Sequence, residues 1–272
     1  MDTPTSRYGD ESPGSASDDL AYEELLRVGY TVVRAVLNSS QLEYCRRAID
    51  QQLQEQATSF TQDNLASIGE LDMVRAPLVN DEFFLRAIAT ASQVLALARR
   101  VIGSYYLLHL QNAIVNGPNR PHHQSAWHRD LPYVDRTSSK PLALSALFCV
   151  DEFNASTGAT WCIPGSHLFA RVPSDSFLDK HAVAMEANAG DVVVFDSMLA
   201  HRAGTNTSTK PRRAVNNVYS VGIIRQQIDL PRALGGRYAE DPELVVLLGY
   251  ASNAPDSADA YRLRRLDRLG PT

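Results

Sequence analysis

Tyr105-Tyr-Leu-Leu-His-Leu-Gln-Asn-Ala-Ile-Val115 is where the chain changes character. Aromatic and branched side chains crowd this run, and residues of that kind suit the pleated, half-buried surface of a sheet. Similar short runs follow at 142–150, 159–163, 192–195 and 214–224, separated by Gly, Pro, Asn and Asp. That alternation of runs and breakers predicts many short strands joined by turns. Few helix-length patterns interrupt them, which disfavours alternating β-α units and a parallel sheet. The fold class read from this half is a sandwich or jelly roll.

Upstream of that boundary the pattern is helical. Asp18 and Asp19 can cap a segment carrying Leu20, Tyr22, Leu25 and Leu26, and Gly29 ends it before a short strand, Tyr30-Thr-Val-Val-Arg34. Ser39 and Ser40 introduce a second helix through Leu42, Cys45, Ile49 and Leu53. Its apolar residues recur every three or four positions, as an amphipathic helix requires. A third helix is predicted from about Asp81 through Phe84, Leu85, Ile88, Ala91, Val94, Leu97 and Ala98. All three stripes read as helices packed on a sheet. Residues 1–18, rich in Ser, Asp, Gly and Pro, are expected to form a disordered tail. Residues 19–250 then make one domain, a helical N-terminal part packed on the jelly-roll core. Residues 251–272 form a C-terminal extension with a short basic helix at 261–269, whose Arg262, Arg264, Arg265 and Arg268 read as a solvated face.

The composition agrees with a single globular domain. The 272 residues are 44% hydrophobic and carry 26 basic against 31 acidic side chains, a formal charge of -5. Such a length encloses a substantial core, and mild acidity argues against a nucleic-acid partner. No apolar run approaches the ~20 residues needed to cross a bilayer. The opening residues lack the basic start and apolar stretch of a signal peptide. Cys45, Cys149 and Cys162 form no CxxC pair and cannot build a disulfide framework. The expectation is a soluble, cytoplasmic protein with reduced thiols, partnered by neither nucleic acid nor membrane. Nothing in the pattern specifies an oligomeric state.

Chemistry concentrates in His122-His-Gln-Ser-Ala-Trp-His128-Arg-Asp130. Alternate residues of a strand share a face, so His128 and Asp130 would point the same way. An imidazole and a carboxylate side by side supply two metal ligands, and a histidine from a neighbouring strand would complete the open face of a non-haem iron(II) site. His201 is placed to do so, soon after the buried run Gly190-Asp-Val-Val-Val-Phe-Asp196. Past it, Arg212 and Arg213 open another β-rich run. An antiparallel return would bring an arginine near the histidine, and a guanidinium holds a carboxylate in two parallel hydrogen bonds. A metal face with such an arginine suits a 2-oxoacid cosubstrate.

These pieces together resemble the phytanoyl-CoA dioxygenase-like (PhyH) family of Fe(II)/2-oxoglutarate-dependent oxygenases. The resemblance rests on Trp127-His-Arg-Asp130, Thr157-Gly-Ala-Thr-Trp-Cys-Ile-Pro-Gly-Ser-His167, Gly190-Asp-Val-Val-Val-Phe-Asp196, and His201-x-x-Gly-x-Asn with Pro211-Arg-Arg, in that order over roughly residues 20–230. It implies a double-stranded β-helix, a cupin-like jelly roll with flanking helices. His128, Asp130 and His201 match the iron ligands. Arg212, eleven positions after His201, matches the arginine that binds the distal carboxylate of 2-oxoglutarate, leaving Arg213 as a surface charge. Thr160 is a candidate second donor to that carboxylate. Gln111 could contact cosubstrate or substrate, or else make ordinary interior hydrogen bonds, with Asn112 on the opposite strand face. Many relatives carry a small polar residue where this chain has Ala203 and Ala214.

Nearby residues have plainer readings. His122 and His123 are assigned to a loop or to substrate access, and His167 to a turn. Trp127, Tyr133 and Trp161 line a pocket or pack in the core. Asp151 and Asp196 serve turns, and the cysteines are buried structural thiols. The resemblance implies cosubstrates 2-oxoglutarate and O2, and hydroxylation of a small-molecule metabolite, of secondary metabolism, through ferryl-mediated hydrogen abstraction. Related halogenases carry a small residue where this chain has Asp130, so oxygenation is expected here. Desaturation, cyclisation and epimerisation by the same iron site remain alternatives, as does a noncatalytic jelly-roll binding protein. A zinc hydrolase using these ligands lacks the glutamate base of a His-Glu-x-x-His motif.

Overall fold

A computed structural model describes residues 16–120, 122–131 and 139–267. Helix α1 (Ala16–Arg27) starts ahead of the expected cap at Asp18 and Asp19 and stops before Gly29, whose φ is +96°. A Cβ on Gly29 would lie 2.5 Å from Nδ1 of His167, so glycine is required by both conformation and space. Strand β1 (Tyr30–Val33) follows. Helix α2 (Ser39–Phe60) is capped by Asn38, which accepts from the Gln41 amide while the Gln41 side chain accepts from the Asn38 amide. The two serines expected to introduce the helix are its first residues, one position inside that reciprocal cap. Leu42, Cys45, Ala48, Ile49 and Gln52 form its buried stripe.

Short helix α3 (Gln62–Ser67) and strand β2 (Met73–Arg75) lead to the segment predicted as one long helix. It is two pieces, a π-helical turn (Phe84–Ala89) and α4 (Ser92–Ile102). Thr90 makes the break. Its amide donates five residues back to the Leu85 carbonyl at 3.0 Å, and its hydroxyl donates to Arg86 at 2.8 Å. Carbonyls that would have continued the α-helical ladder are thereby consumed, and the chain restarts after Ala91.

The strands then come in quick succession, with one helix among them: β3 (Tyr106–Asn116), β4 (Ala143–Cys149), β5 (Thr160–Cys162), α5 (Asp175–His181), β6 (Val183–Met185), β7 (Val192–Asp196), β8 (His201–Arg202) and β9 (Arg212–Val221). The chain continues through α6 (Leu230–Ala233), α7 (Leu244–Leu247) and α8 (Ala258–Asp267). Six strands pair antiparallel in the order β1-β7-β4-β9-β3-β2, and three form a smaller sheet, β6-β5-β8. The two sheets face each other as the jelly roll.

The large sheet is buried on both faces. Its outer face, with Leu108, Val215 and Tyr219, packs on Ile49, Ile88, Val94 and Leu97 of the helices. The inner face sets Leu147, Cys149, Val193 and Phe195 against Cys162 and Met185 of the small sheet. Burial pushes all three thiols up to about 12, so these cysteines stay protonated and unpaired within the core. At the far end α8 is exposed, its Arg262 paired with Asp259 and its Arg264 bonded to the Asn253 carbonyl. Arg268 and Tyr133 lie outside the described residues, as do residues 1–15 of the expected tail. Among the described residues no helix is long and apolar enough to cross a membrane.

Candidate metal centre and carboxylate pocket

His201 opens β8, and a single residue of the preceding segment pairs with it. The His128 amide donates to the His201 carbonyl and the His201 amide returns to the His128 carbonyl, both at 3.0 Å. The His-x-Asp segment is therefore an isolated bridge at the edge of the small sheet, where a regular strand was expected. Two residues on, the Asp130 amide donates to Ser197 at 3.0 Å, which holds the carboxylate on the histidine side. One ligand atom from each of His128, Asp130 and His201 lies within 4.8 Å of the others.

Each ligand is oriented from behind. Nδ1 of His128 sits 2.9 Å from the Ala126 carbonyl, and Nδ1 of His201 the same distance from the Leu199 carbonyl. A carbonyl can only accept, so each Nδ1 carries the proton and each Nε2 is left with a lone pair facing the centre. Nε2 of His128 is buried with no partner among the described residues, and Nε2 of His201 stands 3.5 Å from Oδ1 of Asp130. The second oxygen of Asp130 accepts from Ser145 Oγ at 2.6 Å and from Asn216 Nδ2 at 3.3 Å. Burial would raise the Asp130 carboxyl, but His201, His128 and the Ser145 hydroxyl outweigh it and hold it well below its usual range. Burial lowers His128, helped by the neighbouring His201. Burial would lower His201 too, yet Asp130 leaves it raised. Two imidazole nitrogens and one ionised oxygen with an orphaned lone pair fit a divalent transition metal.

Arg212 opens β9 in the same pocket, which the three ligands and Asn216 also line. Its side chain is buried, with one terminal nitrogen donating to the Gly158 carbonyl at 2.9 Å and the guanidinium 4.2 Å over the Phe153 ring. Nε has no partner, and among the described residues no carboxylate forms an ion pair with it. Burial pulls its pKa down to about 10, so it keeps its charge at neutral pH. Gly158 is forced by its φ of +74°, and a Cβ there would meet the Gly204 carbonyl at 2.6 Å. Thr160 on β5 lines the pocket with Arg212.

Gln111 does not reach the pocket. Its side chain faces the helices, accepting from the Leu78 amide at 3.1 Å and donating to Phe84 and to Asn217 Oδ1, each at 2.9 Å. The pairing of β3 with β9 shifts register between Leu108 and Leu110, so the extra residue His109 reverses which parity faces inward. Ile114 therefore lines the pocket in place of Gln111. Arg213 is more than a surface charge. It forks onto both oxygens of Asp50 at 2.8 Å and reaches Asp151 at 3.1 Å, tying β9 to α2.

The remaining neighbours serve architecture. Asp151 also pairs with Arg46 at 2.7 Å, and Asp196 accepts from the Met198 amide in the turn after β7. His167 lies in a turn and reaches the Leu26 carbonyl at 3.3 Å. Trp127 is stacked by the Arg202 guanidinium at 4.9 Å, and Trp161 pairs with Arg202 across β5 and β8. Ser145 and Asn216, which position Asp130, carry no signal in the sequence, because only the sheet brings them to it.

Comparison with known proteins agrees with this architecture. The family model described as Phytanoyl-CoA dioxygenase (PhyH) matches residues 25–214. The uncharacterized protein Rv1501 of Mycobacterium tuberculosis is 34% identical over 254 residues, 91% of this chain and 92% of that one. Dioxygenase hkm4 of Aspergillus hancockii is 26% identical over 227 residues, 77% of this chain and 73% of its own. Among solved structures, the non-heme alpha ketoglutarate dependent epimerase SnoN from nogalamycin biosynthesis superposes with a TM-score of 0.58 at 20% identity, covering 77% of this chain and 84% of that one. A match over that span, with the jelly roll and the two-histidine, one-carboxylate cluster, places the chain in the phytanoyl-CoA dioxygenase family of iron(II)- and 2-oxoglutarate-dependent oxygenases.

Proposed function

We propose that the protein is a dioxygenase that hydroxylates a small-molecule metabolite, with His128, Asp130 and His201 holding iron and Arg212 gripping the distal carboxylate of 2-oxoglutarate. One observation carries the reading: three oriented ligand atoms and a buried guanidinium without a carboxylate share a single pocket. Bound iron and 2-oxoglutarate supply an oxidant able to take hydrogen from an unactivated C–H bond. The protein's own part is positional. The Ala126 and Leu199 carbonyls keep both Nε2 atoms deprotonated, and Ser145 and Asn216 fix the second oxygen of Asp130. Arg212 is buried and neutralises the far end of the cosubstrate where solvent screens a charge-assisted pair little. Thr160 is the second donor assigned to that carboxylate. Asp130 occupies the third ligand position, which supports oxygen transfer over halogenation.

SnoN, named as an epimerase, favours a second outcome on the same site, since substrate position decides the fate of the radical. Product mass separates the outcomes. Hydroxylation adds one oxygen, desaturation and cyclisation remove two hydrogens, and epimerisation leaves the mass unchanged. The test is succinate formation with iron(II) and 2-oxoglutarate over a panel of specialised metabolites, followed by mass measurement of any hit. Iron and 2-oxoglutarate together should raise the melting temperature, by linkage worth about 2.7 kcal/mol for each ligand held at roughly a hundred times its Kd. His201→Ala should reduce succinate to background, and undiminished turnover in that variant removes the iron assignment.

A further inference from the structure

The pocket contains a further imidazole that coordinates nothing in the cluster. His122 lines it beside Arg212, Thr160 and Gln124, and is only 6% exposed. Its Nδ1 accepts from the Gln124 amide at 3.2 Å. An accepting Nδ1 has a lone pair, so the ring proton sits on Nε2. That Nε2 is buried and has no partner among the described residues. Burial, then His123, Arg212, Arg120 and His128, push His122 down to about 3, so it remains a neutral single donor at physiological pH. The loop is anchored to the turn between β8 and β9 by Ala203 donating to the Gln124 carbonyl and Asn119 to Asn206, each at 2.8 Å. Its ring stacks on His123 at 4.3 Å. A buried donor of fixed orientation costs stability unless something accepts from it.

The acceptor is indicated by what else is missing. A carboxylate offers about four lone-pair sites, and a guanidinium fork fills two of them. The residues two places after His201 and after Arg212 are alanines, whose side chains donate nothing. We propose that His122 is a cosubstrate-positioning residue whose Nε2–H donates to the distal carboxylate of 2-oxoglutarate, sharing that group with Arg212. This rests on the assignment of iron and 2-oxoglutarate above and names a residue that assignment leaves unused.

The test is calorimetric binding under anaerobic conditions to the iron(II)-loaded protein. Two acids are compared, 2-oxoglutarate and 2-oxobutyrate, which keeps the chelating end and lacks the distal carboxylate. His122→Phe should weaken 2-oxoglutarate about 10- to 100-fold, the span expected of a hydrogen bond to a charged group. Affinity for 2-oxobutyrate and for iron(II) should stay within about twofold. His122→Gln, whose amide can still donate, should recover most of the loss. If the phenylalanine variant does not fold, His122→Asn takes its place, because its amide is too short to reach and should show the same selective loss. Unchanged 2-oxoglutarate affinity, equal weakening of both acids, or loss of iron would each overturn the role given to His122. A wild-type protein that binds iron but neither acid overturns the parent assignment and this one with it. Binding of both acids by the wild type with no selective loss in the variants overturns this one alone.

Discussion

The two faces of β9 are made from alternate residues of one strand and have opposite hydrogen-bonding histories. On the helix face Arg213 is satisfied by Asp50 and Asp151, Asn217 bonds Gln111 and Tyr219, and the Tyr219 hydroxyl donates to Ala89 at 2.9 Å. On the inner face Arg212 keeps an unpartnered Nε, Asn216 an unpartnered Oδ1 and Ser220 an unpartnered hydroxyl. Buried polar groups in a folded chain are nearly always paired, so a run of orphans on one side of a fully paired strand marks where a ligand completes the structure. Arg213 and Asn217 are bonded within the chain, while Arg212 and Asn216 each keep a polar atom without a partner among the described residues.

The largest expected effect comes from exchanging the neighbouring arginines for methionine. Arg212→Met should weaken 2-oxoglutarate at least about 100-fold, as removing one partner of a buried charged pair does. The ligand-free protein should nevertheless melt at the same temperature or higher, because an unpaired buried charge has been replaced by packing. Arg213→Met should do the reverse. It leaves Asp50 without its partner, while Asp151 keeps Arg46, costing about 1–2 kcal/mol given that Asp50 remains half exposed, and leaves 2-oxoglutarate affinity alone. Melting curves with and without the cosubstrate read both. Two variants that behave alike would break the contrast.

Carboxylates sharpen it at smaller scale. Asp130 spends one oxygen on Ser145 and Asn216 and turns the other to His201, whereas Asp191, at the start of β7, spends both on donors that pin a loop. Asp191 accepts from the Ala35 and Asn188 amides at 2.9 Å and from Arg34 at 2.7 Å, pinning the loop after β1. Burial would raise its carboxyl, but these donors prevail and hold it below the usual range. A depressed folded pKa contributes stability that is present above the unfolded value near 3.8 and is lost as pH falls through the folded value. Asp191→Asn should therefore cost about 1–3 kcal/mol at pH 7, and the gap to wild type should narrow below about pH 4. A gap that stays constant with pH would show that the charge contributes nothing.

How much of this was legible depended on whether a residue's partner lies nearby in the chain. His128, Asp130 and His201 were readable because metal ligation demands particular side chains at nearly fixed spacing, and the long strands because apolar runs announce themselves. The strands β2, β6 and β8, of three, three and two residues, are too short to carry a pattern. Gln111 was misplaced because a bulge at His109 reverses strand parity without any mark in composition. The break at Thr90 hides within an otherwise helical stripe, since threonine stops a helix only when its hydroxyl takes the local carbonyls. His122 was unreadable as a donor for the same kind of reason: its tautomer is set by the Gln124 amide, a consequence of how the loop folds.

The smallest effect separates two serines that are equally buried on the inner face of adjacent strands. Ser145 bonds Asp130 at 2.6 Å and Ser197 at 2.8 Å, whereas the Ser220 hydroxyl has no partner among the described residues. A buried hydroxyl without a partner has lost its water and gained no bond, so removing it relieves a penalty. Ser220→Ala should leave stability within about 0.5 kcal/mol of wild type or raise it slightly, whereas Ser145→Ala should cost about 1–2 kcal/mol and loosen Asp130. Chemical denaturation with an iron-binding titration reads both halves. A Ser220→Ala protein destabilised as much as Ser145→Ala would mean that its hydroxyl is satisfied within the chain, and the inner face of β9 would then be paired at that end like the outer one.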